Sequence, residues 1–321
     1  MRVGIVRLVV AACLGGGLAL APGMVLADSP ASGHDSSTVQ NSQQSGSPSF
    51  YLALGDSLAA GCTGYGADDQ YSTNCSEVSI GPGVGAPDGY VADIAGQLGL
   101  TLATVDLGCP GETTTSMISG TDCQTSEQSQ LTAAEDFLAA AYTAKKSTLV
   151  TIDIGANDLL ACAPTSSSPT ISPTCVANAI ATASRNLATI LAGLKAADPQ
   201  AHIVGMNYYD PVLAAWLEGS SGEWLAFESA FYAGTFNQTL DSVYAEFGVP
   251  VANVQGAFQT FDFFQYQTLT LPGSTSVSVP QNVYNICTLT YSCLSLGTTN
   301  NPHPNTSGYQ RIADAFLAAG V

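Results

Sequence analysis

The chain alternates short apolar runs with longer stretches of helical periodicity from about residue 50 to its C-terminus. Alternating strands and helices are typical of a parallel sheet that helices cover on both faces. The pattern therefore predicts an α/β fold, a three-layer α/β/α sandwich around a parallel sheet of about five strands. The predicted strands are residues 50–54, 102–107, 148–154, 202–208 and 249–254, and the predicted helices are 89–98, 131–145, 176–197, 224–247 and 307–319.

Residues 255–299 do not follow this alternation. They combine a cluster of aromatic residues at 258–266 with alternating Thr, Ser and Val at 268–279. Such alternation favours a β-hairpin. We interpret the segment as a long excursion from the sheet that contains a hairpin, and we expect this excursion to lie over or near the functional site.

The N-terminus has the organisation of a secretory signal peptide. Arg2 and Arg7 precede a largely apolar run at residues 8–20, and small residues follow at 25–27. This predicts cleavage near Ala27 and secretion of the mature chain. Glycines and a proline interrupt the apolar run, which argues against a stable membrane anchor. A lipoprotein cleavage box ending at Cys13 is the alternative, although the chain stays apolar after that cysteine.

The segment after the signal peptide is rich in Ser and Gln and has no apolar periodicity. This composition predicts a disordered linker at residues 28–48. The remainder, residues 49–321, shows no internal repeat and suits one domain. We expect this domain to be a monomer.

Acidic residues dominate the charge of the chain. There are 25 acidic and 7 basic residues, which give a formal net charge of −18. Such a surface repels phosphate backbones and anionic membranes, so nucleic acid is excluded as a partner. Only 10% of residues are charged. We therefore hypothesise tolerance of acid, because few charges remain to repel one another once the carboxylates are protonated.

Eight cysteines follow the signal peptide, an even number that indicates disulfides in an exported chain. Eight cysteines allow 105 pairings, but these fall as near neighbours. We predict the pairs Cys62–Cys75, Cys109–Cys123, Cys162–Cys175 and Cys287–Cys293. A structural metal is the competing interpretation, although the chain has no Cys-x-x-Cys pair and its three histidines are scattered.

Four short motifs fall at predicted strand ends or just before the last helix. They are Gly-Asp-Ser-Leu at 55–58, Gly-Cys-Pro-Gly-Glu-Thr at 108–113, Gly-Ala-Asn-Asp at 155–158 and His-Pro-Asn at 303–305. Each alone could be a turn or a helix cap. The carboxyl ends of parallel strands meet at one rim, where ligands bind in such sheets. The motifs therefore predict a joint site with a serine and a histidine.

All four motifs, in this order, resemble those of the SGNH (GDSL) hydrolase family, above all its secreted bacterial members with disulfides. The resemblance spans residues 55–305 and implies the flavodoxin-like SGNH hydrolase fold and ester hydrolysis through an acyl-enzyme. It implies that Ser57 is the nucleophile and that His303 is the base. The backbone N–H groups of Ser57 and Gly111, with the side-chain amide of Asn157, would form the oxyanion hole.

The sequence departs from the family pattern three residues before the histidine, where the family has Asp and this chain has Asn300. An Asp→Asn change in serine proteases costs about 10⁴-fold because the imidazole takes the wrong tautomer, whereas an Asn orients the histidine in papain-like enzymes. We therefore predict a Ser57–His303 dyad, with the histidine held by Asn300 or by a main-chain carbonyl.

The four disulfide pairs give a further hypothesis. Each predicted pair closes a short loop beside one catalytic element, so the bridges would hold the rim of the active site rather than the core. In the chain-entropy model a closed loop of about 15 residues contributes about 3 kcal/mol.

The sequence leaves the substrate class open. The family resemblance implies no metal and no organic cofactor. A small-molecule or lipid ester fits the aromatic late segment, whereas family relatives also deacetylate plant polysaccharides, so an acetylated polysaccharide is the alternative. A non-catalytic binding protein with the same fold is a third hypothesis, favoured only by Asn300.

Overall fold

The computed structural model describes residues 47–63, 89–120, 128–164, 170–271, 275–293 and 301–321. The predicted signal peptide, 1–27, and all but the last two residues of the predicted linker, 28–48, lie outside these ranges. The chain divides into two units, Met1–Ser45 and Gly46–Val321, and all the described residues belong to the second.

A five-stranded parallel sheet forms the centre of this unit, as the sequence predicts. The strand order is β2-β1-β3-β4-β5, the flavodoxin-like order. The two outer strands, β2 and β5, are short. Strand β5 pairs with β4 only at Gly205–Val251 and Met206–Ala252. The strands are β1 (Phe50–Gly55), β2 (Thr104–Asp106), β3 (Thr148–Asp153), β4 (His202–Met206) and β5 (Val251–Ala252).

Helices pack in two groups against the sheet. One group joins α3, α5 and α6, and the other joins α1 with the C-terminal α9. Among the described residues no helix is both long enough and apolar enough to cross a bilayer. The helices are α1 (Tyr90–Leu98), α2 (Thr114–Ser119), α3 (Gln130–Thr143), α4 (Ala156–Leu160), α5 (Pro173–Ala197), α6 (Ser220–Glu246), α7 (Val254–Ala257), α8 (Gln281–Leu289) and α9 (Thr306–Ala318), with 3-10 turns at Thr101–Ala103 and Pro211–Glu218.

The segment that departs from the alternation holds a hairpin and two helices, α7 and α8. An antiparallel pair, β6 (Tyr266–Thr270) with β7 (Ser276–Pro280), forms the predicted hairpin. None of its residues lines the cavity that holds Ser57 and His303. The hairpin itself therefore does not form part of the wall of this cavity. Instead, the helix that follows it carries the turn that packs against the histidine segment.

The register of the central strands brings the predicted motifs together. Strand β1 pairs with β3 along its whole length, from Phe50↔Thr148 to Gly55↔Asp153. Both strands are buried over most of their length. Because the two strands end side by side, the turn that carries Ser57 and the start of α4 lie at the same rim of the sheet.

Candidate active site

Ser57 lies in a tight turn directly after β1. The carboxylate of Asp56 accepts a hydrogen bond from the backbone N–H of Leu58 at 2.9 Å, which closes the turn. The backbone N–H of Cys62 then bonds to the carbonyl of Ser57 at 2.9 Å. With Asp56 as the local cap, the hydroxyl of Ser57 is left to face the cavity.

His303 approaches Ser57 from the loop before α9. Its Nε2 is 2.9 Å from Ser57 Oγ, a hydrogen bond that spans 246 residues of sequence. This distance is within reach for proton transfer from a hydroxyl nucleophile to a general base. The structure therefore brings together the two residues that the sequence singles out as nucleophile and base.

The other ring nitrogen of His303 contacts Asn301. Asn301 Oδ1 lies 2.7 Å from His303 Nδ1 and also accepts the backbone N–H of His303 at 3.1 Å. Since that atom accepts a backbone N–H it is an oxygen, so Nδ1 must carry the proton and Nε2 presents its lone pair to Ser57. Asn300, the orienting residue that the sequence predicts, lies outside the described residues.

Three contacts hold the histidine loop in place. The hydroxyl of Tyr209 donates to the carbonyl of Pro302 at 2.6 Å. Ser292 Oγ donates to the carbonyl of Asn301 at 3.2 Å, and the backbone N–H of Tyr291 donates to the carbonyl of His303 at 3.0 Å. These residues did not emerge from the sequence, because no short motif links them to the histidine.

The predicted oxyanion-hole groups line the same cavity as Ser57. Gly111 has φ +84°, a left-handed conformation that a residue with a Cβ rarely adopts. A Cβ at this position would meet no protein atom within 4 Å. Backbone conformation, more than crowding by protein atoms, therefore requires glycine here. Within the described chain, the N–H groups of Ser57 and Gly111 have no protein acceptor.

Asn157 is held at the start of α4 by its neighbours. Its Nδ2 donates to the carbonyl of Glu112 at 2.9 Å, which fixes the plane of the amide and leaves its second N–H for a ligand. Asp158 accepts from the N–H and the hydroxyl of Thr114 at 2.8 and 2.7 Å. The loop that carries Gly111 and the helix that carries Asn157 are thereby bonded to each other.

A cavity of about 460 Å³ opens at the Ser57–His303 pair. Its wall is mostly apolar and comes from α4, α5 and α6 and from the 3-10 turn after β4. Two of its polar residues are bonded to each other, since Ser229 Oγ donates to Asp210 at 2.7 Å. Within the described residues no group of three or more His, Cys, Asp or Glu side chains could hold a metal ion.

Burial sets the protonation of the groups around the site. It lowers the pKa of His303 to about 4, so the imidazole is neutral and able to accept a proton at neutral pH. Burial also raises the pKa of Asp56 to about 7. The pKa of Asp153, which accepts the hydroxyl of Tyr90 at 2.6 Å, is raised well above its ordinary value for the same reason.

Two disulfides lie beside the site. Cys162–Cys175 closes the loop between α4 and α5, and Cys162 lines the cavity. Cys287–Cys293 encloses the turn that carries Tyr291 and Ser292. Cys62 and Cys109 are also disulfide-bonded. Their predicted partners, Cys75 and Cys123, lie outside the described residues.

Comparisons with known proteins agree with this arrangement. Residues 53–311 match the model of the GDSL-like Lipase/Acylhydrolase family. No curated protein sequence matches the chain significantly.

Among solved structures, an extracellular lipase from Streptomyces rimosus is similar, with a TM-score of 0.51 and 19% identity over 84% of this chain and 99% of that one. Phospholipase A1 from Streptomyces albidoflavus has a TM-score of 0.50 and 17% identity over 85% and 100% of the two chains. An acetyl xylan esterase from Geobacillus stearothermophilus has a TM-score of 0.44 and 17% identity over 85% and 95%.

At these identities the solved structures establish the fold alone. The family model, by contrast, covers most of the chain and includes all four motifs in full. The chain belongs to the GDSL-like lipase/acylhydrolase family and is a serine ester hydrolase.

Proposed function

We propose that the protein is a secreted carboxylic-ester hydrolase that uses a Ser57–His303 dyad, oriented by Asn301, and prefers acyl chains longer than acetyl. One observation carries the proposal: Ser57 Oγ lies 2.9 Å from His303 Nε2 at the mouth of a largely apolar cavity. Acyl transfer needs this combination of an activated hydroxyl and an adjacent place for the acyl group.

In the first step His303 Nε2 takes the proton of Ser57 as Oγ attacks the ester carbonyl. The oxyanion that forms receives hydrogen bonds from the N–H groups of Ser57 and Gly111 and from the amide of Asn157. Asn301 keeps the proton of His303 on Nδ1 throughout. The imidazolium then gives its new proton to the leaving alcohol oxygen, and the acyl group stays on Ser57.

Water completes the cycle. His303 takes a proton from the water as its oxygen attacks the acyl carbon, and the same oxyanion hole stabilises the second tetrahedral intermediate. Collapse returns the proton to Ser57 Oγ and releases the carboxylic acid. The neutral Asn301 stabilises the transient imidazolium less than a carboxylate would. We therefore assign Asn301 a positioning role rather than an electrostatic one.

The chemistry of the cavity wall favours an acyl chain over a sugar. Apolar side chains such as Leu160, Ile171 and Val176 line it. Of the two buried acids on this wall, Asp210 accepts hydrogen bonds from Ser229 and from the backbone N–H of Val212, and Asp56 accepts the backbone N–H of Leu58. Few polar groups remain to bind the hydroxyls of a polysaccharide, which supports a lipid or other long-chain ester over acetylated xylan.

Secretion is part of the same proposal. The disulfides Cys162–Cys175 and Cys287–Cys293 persist in oxidising compartments and are rare in the cytosol. The similar lipase from Streptomyces rimosus is also an extracellular protein. N-terminal sequencing of the exported chain would test cleavage near Ala27, and an unprocessed N-terminus would contradict it.

A panel of nitrophenyl esters of increasing acyl length, together with acetylated xylan, tests the activity. We expect kcat/KM to rise from acetyl to longer acyl groups and to fall by at least about 10³-fold in Ser57→Ala. Turnover of acetyl groups alone would favour the deacetylase alternative. Activity that survives the Ser57→Ala change would refute the mechanism, and no activity on any ester would favour the non-catalytic alternative.

A further inference from the structure

An exposed aromatic surface lies outside the catalytic cavity. We call it the aromatic face, and it consists of Trp224, Phe227, Phe231, Phe261, Phe264 and Tyr266. Trp224, Phe231 and Phe264 are 72%, 70% and 90% exposed. Soluble monomers rarely expose contiguous apolar patches of this kind unless the patch binds something. Nothing in the ester-hydrolysis mechanism uses these side chains.

Contacts within the aromatic face join α6 to the segment at residues 261–266. Trp224, Phe227 and Phe231 follow one side of α6 at helical spacing. Phe227 stacks on Phe263 with ring centroids 4.2 Å apart, which joins the helix to the segment at residues 261–266. The ring of Phe261 also lies against α6 at Gly234.

The aromatic face leads to the catalytic cavity along the surface between α5 and α6. Phe231 lines a shallow apolar groove there, together with Val176 and Tyr232. Val176 and Tyr232 also line the cavity that contains Ser57. The groove at Phe231 therefore adjoins the catalytic cavity, which gives an apolar substrate a short route from the aromatic face to the nucleophile.

The charge around the aromatic face selects among partners. The chain has no lysine or arginine between Lys195 and Arg311, a stretch that contains the whole face. Its nearest charges in sequence are carboxylates, of which Glu223 and Glu228 lie on α6 and Asp262 lies between two of the aromatic residues. Anionic lipids are disfavoured by this surface. A second copy of the chain is disfavoured too, because it carries the same net charge of −18.

We propose that the aromatic face docks the enzyme reversibly on a zwitterionic lipid surface with choline headgroups. The outermost charge of such a surface is a quaternary ammonium, which aromatic rings and carboxylates both attract. Trp, Tyr and Phe side chains suit the boundary between headgroups and acyl chains. The proposal rests on the proposed function, since it supplies a lipid ester to the same site.

Vesicle binding by the inactive Ser57→Ala protein tests docking without hydrolysis. We compare its co-sedimentation with phosphatidylcholine vesicles and with phosphatidylglycerol vesicles. A Trp224→Ala/Phe264→Ala double variant in the same background should bind phosphatidylcholine about 100-fold more weakly, roughly tenfold for each aromatic side chain. Tyr142→Ala is the matched control, because Tyr142 is an aromatic residue 45% exposed on α3, away from the face.

The same double substitution with Ser57 intact should leave kcat/KM for a soluble short-chain ester within about twofold, because Trp224 and Phe264 do not line the cavity. Unchanged vesicle binding in the double variant would overturn the proposal, as would an equal loss in Tyr142→Ala or stronger binding to phosphatidylglycerol. The proposal would also be overturned if the Ser57→Ala protein bound to insoluble acetylated xylan instead of to vesicles. The same holds if it formed a dimer in sedimentation velocity that the double substitution abolishes. Failure of the proposed function is distinct, because it would appear as no turnover of soluble esters.

Discussion

At the scale of single residues, the orientation of His303 depends on a neutral amide. Asn301 Oδ1 binds both the backbone N–H and the Nδ1 of that histidine. We expect Asn301→Ala to lower kcat by about 10- to 100-fold, because the imidazole loses the partner that fixes its tautomer. KM should change little, since Asn301 is not among the residues that line the cavity. Steady-state kinetics on one soluble ester measures both parameters.

Asn301→Asp and Asn300→Asp form a matched pair of controls. In Asn301→Asp the new carboxylate would keep the contact to Nδ1 and add charge stabilisation of the imidazolium, so kcat should equal or exceed that of the wild type. Asn300→Asp should leave kcat within about threefold if Asn301 is the orienter. A gain above about tenfold in Asn300→Asp, with no loss in Asn301→Ala, would instead place the orienting group at Asn300.

The pH dependence of kcat/KM reports the protonation of the free His303. Burial lowers the pKa of this imidazole to about 4, and the base acts only in its neutral form. Activity on a non-ionising ester should therefore persist in acid and fall with a midpoint near pH 4. Asn301→Asp should move that midpoint to higher pH, because a carboxylate at Nδ1 favours the charged ring. A wild-type midpoint near pH 6.5 would contradict the prediction.

The sequence predicts the positions of Ser57 and His303 better than it predicts the orienting residue. A serine after a buried strand and a histidine before a helix carry a local pattern. The role of Asn301 also has a local signal, since Asn side chains accept the N–H two residues onward and Asn301 stands two before His303. The partners Tyr209 and Ser292 have no such signal, because only the folded chain brings them to the histidine loop.

At the scale of elements, strands and long helices follow from periodicity, whereas short elements do not. The helix α5 begins at Pro173 and ends at Ala197, close to the predicted 176–197. The helices α2, α4 and α7 have six residues or fewer. Elements of this length complete too few turns to show an apolar stripe. One of them nevertheless forms part of the rim, because α4 presents Asn157 to the cavity.

The turn enclosed by Cys287–Cys293 supports the histidine loop. It carries the N–H that bonds to His303 O and the hydroxyl that bonds to Asn301 O. We expect a Cys287→Ser/Cys293→Ser variant to lose about tenfold or more in kcat, with KM nearly unchanged, because the base is less well positioned. Circular dichroism and kinetics at a temperature below the unfolding transition separate this effect from loss of the fold.

A Cys162→Ser/Cys175→Ser variant is the matched comparison, since that bridge borders the acyl cavity instead. Here KM should rise more for long-chain than for short-chain esters, and kcat for a short ester should change less than in the first variant. Equal effects of the two double variants on kcat and KM would contradict a distinct role for each bridge.

At the scale of the whole molecule, buried carboxyl groups link stability to pH. Burial raises the pKa of Asp56 and of Asp106 to about 7 and that of Asp210 to about 6, from an ordinary value of 3.8. A carboxyl that binds its proton more tightly in the folded chain stabilises the fold at low pH, and this contribution is lost as the pH rises through the folded pKa. Because of these three groups, the stability of the fold decreases as the pH rises from about 4 to about 7.

His303 acts in the opposite direction. Its folded pKa of about 4 lies below the ordinary value of 6.5. The contribution of His303 to stability therefore grows as the pH rises from about 4 to 6.5. One imidazole opposes these three carboxyls and Asp153, whose pKa burial also raises, and the net charge of −18 at neutral pH adds self-repulsion. The acid tolerance expected from composition thus gains a second cause, the buried acids beneath and beside the nucleophile.

We therefore expect the thermal unfolding midpoint to be highest near pH 4 to 5 and to fall by about 5 °C or more by about pH 7.5, at constant ionic strength. Asp106→Asn should flatten this dependence, because an amide oxygen can still accept the N–H of Gly108, now bonded to Asp106 at 2.9 Å, without titrating. Calorimetry across the pH range measures both proteins. The opposite result would be a wild-type unfolding midpoint that decreases steeply as the pH is lowered from 7 to 5. It would show that the buried carboxyls are ionised in the folded chain, because folding then releases protons instead of binding them.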